Sequence, residues 1–308
     1  MSPSQIIRFR ITSNRLAVVL LSLLMSVMFS CSFVPRQEQF VTAAMSPMYT
    51  RSAGECDDAE GRAATLKAIT GLNPDHISVF DWNIYKSRKP GLIEDLVHLS
   101  SEADIVLLQE VSFNTPLRDV LQNSQPFWDF NSAFTYKGVE TGVLIASVIE
   151  PLTRCGMRQT EPVIGLPKTA VITSYRIAGS SKKLVVANVH AINFTLGTQS
   201  YKEQFEEIRE ALRGHDGPLI LAGDFNNWND RRAEIIESLA AELNLSTLGF
   251  SDGARTTFWG KAVDHILYRG LEPVTRTAYQ VESSDHNPIS VVFRFTGEQN
   301  LAIIPHEN

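Results

Sequence analysis

Cysteine is scarce: the 308-residue chain has three, Cys31, Cys56 and Cys155, and it contains no Cys-x-x-Cys or His-Glu-x-x-His pattern. The sequence therefore offers no support for a zinc site, structural or catalytic. Positive charge is also in deficit, with 28 Lys+Arg against 34 Asp+Glu, a net charge of −6 and a pI near 5.7. Tight sequence-independent binding to nucleic acid rests on Lys and Arg neutralising phosphates, so that class is excluded, although brief contact with a polyanion is not. No apolar run reaches the roughly 20 residues a membrane-spanning helix needs. Nor is there an internal repeat, a heptad run or a low-complexity tract.

What the N-terminus does have is Arg8, Arg10 and Arg15 ahead of an apolar run from Leu16 to Phe29. A basic segment followed by a short apolar one is the pattern of an export signal, with a short uncleaved anchor as the alternative. Positive charge before the run keeps the N-terminus cytoplasmic and sends the rest outward. The expected location is thus periplasmic, or membrane-anchored and facing outward. Cys31 follows Met28-Phe29-Ser30, which resembles a bacterial lipoprotein cleavage box with a poor residue, Phe29, in its middle; if it is lipidated, the membrane is reached through the N-terminus. In an oxidising compartment Cys56 and Cys155 either pair or stay as two buried thiols. Residues 1–31 read as export signal or anchor. Residues 32–61 mix Pro, Ser, Gln and charge without a hydrophobic period and read as a tether, and residues 62–308 as one domain.

Within that domain short apolar runs alternate with helical stretches. Strand-like runs are Ile77–Phe80, Ile105–Leu108, Gly142–Ala146, Ala170–Thr173, Leu184–Ala187, Leu219–Ala222, His265–Tyr268 and Ile289–Phe293. Continuous Val- and Ile-rich runs of this length suit strands buried on both faces. Tyr201, Phe205, Ile208 and Leu212 fall at helical spacing, as do Ile235, Leu239 and Leu243, and both stripes are core-facing. The class is α/β; periodicity does not choose between sheet on sheet and helix on sheet.

Nearly every one of these runs leads into a carboxylate, an amide or an imidazole. Phe80 leads to Asp81-Trp82-Asn83, Leu108 to Gln109-Glu110, Ala187 to Asn188-Val189-His190, Ala222 to Gly223-Asp224-Phe225-Asn226, and Val263 to Asp264-His265. Ser284-Asp285-His286-Asn287 precedes the last run. Strand ends meet at one edge of a sheet, so residues distant in sequence can converge there. An oxygen-rich donor set suits Mg2+, with Mn2+ possible on the same chemistry, rather than zinc. Phosphate-ester hydrolysis needs charge neutralisation on the phosphoryl oxygens, an oriented water and stabilisation of the leaving oxygen, and this set has candidates for all three.

The pieces Trp82-Asn83-Ile84, Leu108-Gln109-Glu110, Asn188-Val189-His190, Gly223-Asp224-Phe225-Asn226, Asp264-His265-Ile266 and Ser284-Asp285-His286-Asn287-Pro288 resemble, in order, the motifs of the endonuclease/exonuclease/phosphatase (DNase I-like) superfamily. Trp82-Asn83-Ile84-Tyr85-Lys86, His190–Gly197 and Tyr268–Leu271 look like the bacterial YafD-like branch. The resemblance implies a four-layer α/β/β/α sandwich of two mixed sheets flanked by helices, with a metal site at one edge. It makes Glu110 the principal metal carboxylate, with Asn83 and Asp285 close to the ion. Asp224 would orient or deprotonate the attacking water and Asn226 would hold that water or the phosphate. His190 and Asn193 stand where phosphate is contacted. Asp264 would orient a histidine, and His286 would bind a phosphoryl oxygen. Asp224 and His286 both remain open as the base.

Other polar residues read as structural. His76, His98, His215 and His306 are surface or loop groups, and His265, next to Asp264 in a strand, points to the opposite face. Arg154, Arg158, Lys168 and Arg176 form a solvated basic rim, with Lys168 also a phosphate-binding candidate. Trp228 and Trp259 either pack in their loops or stack on a substrate. The functions these observations allow are a phosphodiesterase or nuclease, a phospholipid or sphingomyelin phosphodiesterase, and a catalytically silent anchored module. No protein partner is expected. Neither an apolar hairpin nor a dense basic run is legible to favour lipid or nucleic acid.

Overall fold

The computed structural model describes residues 32–33, 40–44, 49–51, 57–58, 71–251 and 253–297. In chain order the strands are β1 (Ser32–Phe33), β2 (Phe40–Ala44), β3 (Tyr49–Arg51), β4 (Asp57–Asp58), β5 (Ile77–Asn83), β6 (Ile105–Ser112), β7 (Phe127–Tyr136), β8 (Val139–Ser147) and β9 (Thr153–Thr160). They continue with β10 (Pro167–Arg176), β11 (Lys183–His190), β12 (Leu219–Asp224), β13 (Ser246–Thr247), β14 (Thr257–Phe258), β15 (Lys261–Ala262), β16 (Asp264–Arg269), β17 (Leu271–Ala278) and β18 (Ile289–Phe295). The helices are α1 (Leu92–Leu99), α2 (Thr115–Ser124), α3 (Gln199–Leu212) and α4 (Asp230–Glu242).

One sheet runs β17-β18-β5-β6-β8-β7-β2-β3, with β1 paired to β7, and the other runs β13-β16-β12-β11-β10-β9-β4. Each holds one parallel pair, β5 with β6 and β11 with β12, among antiparallel neighbours. Side-chain alternation then builds the layers. Ile105 and Leu107 of β6 pack in the inter-sheet core with Val186 and Ile220 of the other sheet. Val106 and Leu108, on the opposite face of β6, pack under Leu92 and Leu96 of α1 and Leu117 and Leu121 of α2. Val189 and Leu221 face Tyr201, Phe205, Ile208 and Leu212 of α3. The result is the four-layer α/β/β/α sandwich, and all eight apolar runs picked from the sequence lie within its strands.

Three expectations are corrected. Part of the segment read as a tether is built into the first sheet: β2 pairs with β7 from Phe40↔Asn131 to Ala44↔Phe127, and Phe40 is fully buried. The alternation that buries Phe40 spans too few residues to register as a period. Arg154 is no solvated group. It is buried, its Nε lies 3.1 Å from Asp129 Oδ1, and Thr42 Oγ1 donates to the same carboxylate at 2.7 Å. Arg158 reaches inward to donate to the carbonyl of Ala133 at 2.9 Å. Strands β7 and β9 escaped the apolar-run criterion because their inward positions are partly these polar residues.

Cys155 on β9 is disulfide-bonded, which removes the free-thiol reading for it. Cys31 and Cys56 lie outside the described residues, as do the apolar run Leu16–Phe29 and His306. Among the described residues no helix is long and apolar enough to cross a membrane.

Candidate active site

Register, more than any single loop, gathers the polar residues. His190 at the end of β11 pairs with Asp224 at the end of β12, and Asp224 pairs with Asp264 at the start of β16, so three functional groups stand in one row across three strands. The approach of β12 to β11 requires glycine at 223. Its φ is +126°, and a Cβ there would lie 2.1 Å from the carbonyl oxygen of Val189. From the other sheet Asn83, at the end of β5, donates through Nδ2 to Asp224 Oδ2 at 3.0 Å. Its own carbonyl accepts from Ser284 Oγ at 2.7 Å, which brings the Asp285-His286 segment alongside.

Glu110 enters from a bulge. The β6–β8 register shifts between Leu108 and Val111, and Glu110 sits there at φ 50°. Bulges beside active sites re-aim a side chain out of the strand's alternation. Its Oε2 is bonded by the ammonium of Lys86, and Oε1 lies 3.8 Å from His190 Nε2. Lys86 gets there through a turn in which Tyr85, Lys86 and Ser87 all take positive φ, at 47°, 54° and 53°. Such backbone costs on the order of 1–3 kcal/mol per residue and persists where its surroundings fix it.

The electrostatics divide the groups by task. Burial penalises the Glu110 carboxylate, but Lys86, His190 and Lys168 outweigh it and hold its pKa at about 2. Burial raises Asp224 to about 6, with Asp264 adding to the rise and His286 opposing it. Burial works against the His286 imidazolium, yet Asp264, Asp224 and Asp285 raise it to about 10. Asp264 is its direct partner, with both carboxylate oxygens 2.9 Å from His286 Nδ1. Burial, and next to it the Lys168 charge, push His190 well below the usual histidine range. Lys168 Nζ lies 2.7 Å from His190 Nε2, and since an ammonium only donates, that nitrogen accepts and Nδ1 carries the proton.

Asn226 caps the row at φ 48°, its backbone N–H donating to Asp224 Oδ1 at 3.0 Å and its Nδ2 to Asp224 Oδ2 at 3.1 Å. Asn193 is turned aside: its Oδ1 accepts from Trp228 Nε1 at 2.9 Å. Asp285 is exposed beside the cluster. Lys168 stands inside the site rather than on a rim. Reading the sequence missed Lys86, for which only its place three residues after Asn83 was a clue. It also passed over Asp81, which is buried below the row, accepts from Gln109 Nε2 at 2.7 Å, and is pushed well up by burial and by Asp264. His265 faces away, its Nε2 3.0 Å from Asn227 Oδ1 and 2.9 Å from the carbonyl of Ala262.

Oxygen and nitrogen atoms of Asp224, Asp264 and His286 lie within 4.8 Å of one another, close enough to hold a metal ion. His286, however, is already engaged at Nδ1 and held as a cation, which makes it a poor ligand until it loses a proton. Glu110 is the better donor: it stays ionised and already attracts the Lys86 ammonium. Asp81, Asp224 and Asp285 are raised first by burial and further by neighbouring carboxylates, and such a crowd of carboxylates fits a hard divalent cation.

A family model described as Endonuclease/Exonuclease/phosphatase family matches residues 82–286, spanning all of these groups. The chain belongs to that family. As a member it is a hydrolase of phosphate esters, a family whose enzymes generally depend on divalent metal. A UPF0294 protein of Vibrio campbellii is 34% identical over 285 residues, covering 91% of this chain and 98% of its own. Among solved structures, the human Nocturnin catalytic domain with a bound sulfate anion superposes with a TM-score of 0.59 at 20% identity, over 74% of this chain and 96% of that one. ANGEL2, a 2′,3′-cyclic phosphatase solved with adenosine-2′,3′-vanadate, gives 0.57 at 16% identity over 74% and 98%. At such identities the two structures speak to the fold alone.

His265 carries a stability prediction of its own. Burial lowers its pKa from 6.5 to about 4, so between those values the unfolded chain binds a proton that the folded chain refuses. Stability therefore falls as pH drops through this window, by about 3 kcal/mol in total for this group. Urea unfolding at about pH 7 and about pH 4 measures it: His265→Gln should shrink the difference by about that amount, and an unchanged difference would contradict the assignment.

Proposed function

We propose that this protein is a divalent-metal-dependent phosphodiesterase in which an activated water attacks phosphorus. The observation that carries the reading is the pairing, at one sheet edge, of a carboxylate titrating near neutrality, Asp224, with an imidazolium, His286, held charged by Asp264. Two groups whose surroundings push their pKa values to opposite sides of neutrality divide into base and acid. Asp224 takes the proton from water and Asn226 orients that water. Lys168, with Lys86, places positive charge beside the phosphoryl oxygens, and His286 donates toward the leaving oxygen. Glu110, with Asn83 and Asp285 beside it, would hold Mg2+ or Mn2+, which when bound neutralises phosphate charge. Export of the domain belongs to the same proposal, supported by Arg8, Arg10 and Arg15 ahead of Leu16–Phe29. Hydrolysis of bis-p-nitrophenyl phosphate, p-nitrophenyl phosphate, plasmid DNA, RNA and sphingomyelin is the test, each with Mg2+, Mn2+ or EDTA. Turnover that EDTA removes and metal restores is the expected result; a folded chain inert on every substrate with either metal contradicts it.

A second reading, a lipid phosphodiesterase, is favoured by a surface the sequence did not disclose. β14 and β15 form a hairpin with Phe258 and Trp259 at its tip, 52% and 74% exposed, and the loop after His190 carries Phe194 at 54% and Leu196 at 94%. Trp228 joins the two, bonded to Asn193 and 4.8 Å from the Trp259 ring. Leu196→Glu should lower turnover of vesicle-borne sphingomyelin about tenfold relative to bis-p-nitrophenyl phosphate, the cost of losing one buried leucine. An unchanged ratio leaves the soluble phosphodiester as the substrate.

A further inference from the structure

Two charged side chains outside every site motif are buried beside the active site and grip one loop from opposite sides. Glu161, just past β9, and Arg232, in the first turn of α4, are 0% and 1% exposed. Glu161 Oε1 accepts from the backbone N–H groups of Asn193 and Phe194 at 2.5 and 3.1 Å. Arg232 donates to the carbonyls of Ile192 at 3.0 Å, Asn193 at 2.7 Å and Asn226 at 2.8 Å, and to Thr195 Oγ1 at 3.2 Å. Its guanidinium lies over the rings of Tyr201 and Trp228, 4.6 Å from each centroid. The segment so held has no secondary structure of its own, yet it leads directly from His190. Arg232 ties it to Asn226, whose positive φ needs support from outside.

We infer that Glu161 and Arg232 are positioning residues for the hydrolytic site, a clamp whose anion takes the loop's N–H groups and whose cation takes its carbonyls. The inference rests on the proposed phosphodiesterase reading. A plain structural fastening is a poor explanation for the pair. Burying opposite charges adds little net stability over apolar packing, and here Glu161 Oε2 and Arg232 Nε are each left buried without a partner. What the pair does secure is direction. With the loop bonded on both sides and tied through Arg232 to the Asn226 carbonyl, Asn226 cannot drift from Asp224, and a drift of about 1 Å at such a site costs on the order of 10²-fold in rate.

The test compares the full wild-type chain with Arg232→Lys, Arg232→Ala, Glu161→Gln and Glu161→Ala on bis-p-nitrophenyl phosphate, at a temperature where circular dichroism shows each folded. Arg232→Lys keeps the charge but loses the planar fork, so kcat should fall about 10²-fold while KM stays within about threefold. Millimolar guanidinium, but not ammonium at equal ionic strength, should restore Arg232→Ala. Glu161→Gln, which keeps an acceptor for both N–H groups, should lose much less than Glu161→Ala. Amide hydrogen exchange of Asn193 and Phe194 gives a readout that needs no turnover, and Glu161→Ala should speed it selectively. Folded Arg232→Lys with wild-type kcat, or unchanged exchange in Glu161→Ala, overturns the clamp. Should Arg232 variants not fold, the Glu161 pair decides by itself. Absence of turnover in the wild type counts against the phosphodiesterase reading, and exchange still decides whether the clamp orders the loop.

Discussion

Asp224→Asn lowers kcat on bis-p-nitrophenyl phosphate by about 10³-fold and removes the acidic limb of the pH–rate curve, if Asp224 is the base. In the wild type the limb follows from the sign of the shift. Burial and Asp264 raise Asp224 to about 6, so the base form is scarce below that pH and complete above it. Rate should climb with pH and level off, with the limb at or below about pH 6, since a nearby divalent cation favours the carboxylate. Asparagine preserves shape and the 3.0 Å and 3.1 Å partners from Asn226 can still be met on one side, but it cannot take a proton. A folded variant that keeps its acidic limb and instead needs more Mg2+ for half-maximal rate would assign Asp224 to metal binding alone.

The base was left open between Asp224 and His286 by residue identity, because sequence carries no information on which charges face which. In the proposed mechanism their environments separate them: Asp264, 2.9 Å from His286, favours the charged ring and raises it to about 10, which leaves the role of base to Asp224. Other features were legible early for a clear reason. The apolar runs that became β5, β6, β8, β10 and β12 are buried on both faces, so they show without alternation, and the polar residues that end β5, β11 and β12 and start β16 mark the candidate edge. Strands β7 and β9 were not legible because Asp129, Asn131 and Arg154 satisfy one another or the backbone inside the sandwich, and buried polar residues break an apolar pattern. Lys86 and Glu110 meet only because both sit at positive φ, a local backbone choice that neither side chain announces. By sequence Lys168 stands between rim charge and phosphate contact, and Arg232 is not singled out; pairing with His190 and with four loop acceptors is a tertiary fact. Trp259 is singled out in the sequence, but the hairpin that exposes it beside Phe258 is not legible there, since a two-residue strand pair is too short to show a period.

His286→Gln should cost about 10²–10³-fold in kcat, the usual loss when one donor to a developing oxyanion is removed. The more informative variant is Asp264→Asn, which leaves the imidazole in place and removes what keeps it charged. In the wild type the raised pKa of about 10 means the imidazolium is present below that pH and lost above it, so the alkaline limb should lie near pH 10. Without the Asp264 charge, burial, which already opposes the cation, has less against it, and the pKa should fall toward the ordinary histidine value of about 6.5. The alkaline limb then moves acidward by about 2–3 units, and the deficit against wild type is larger at about pH 8 than at about pH 5.5. Stability shares the sign. A raised folded-state pKa contributes fully below about 6.5 and fades as pH rises toward 10, so Asp264→Asn should lose the most stability in acid and the least in alkali. NMR titration of the His286 ring separates the two roles open to Asp264. A pKa that drops while the limb moves with it makes the charge pair part of the reaction, whereas a pKa that drops with no movement of the limb makes Asp264 only a structural partner of the ring.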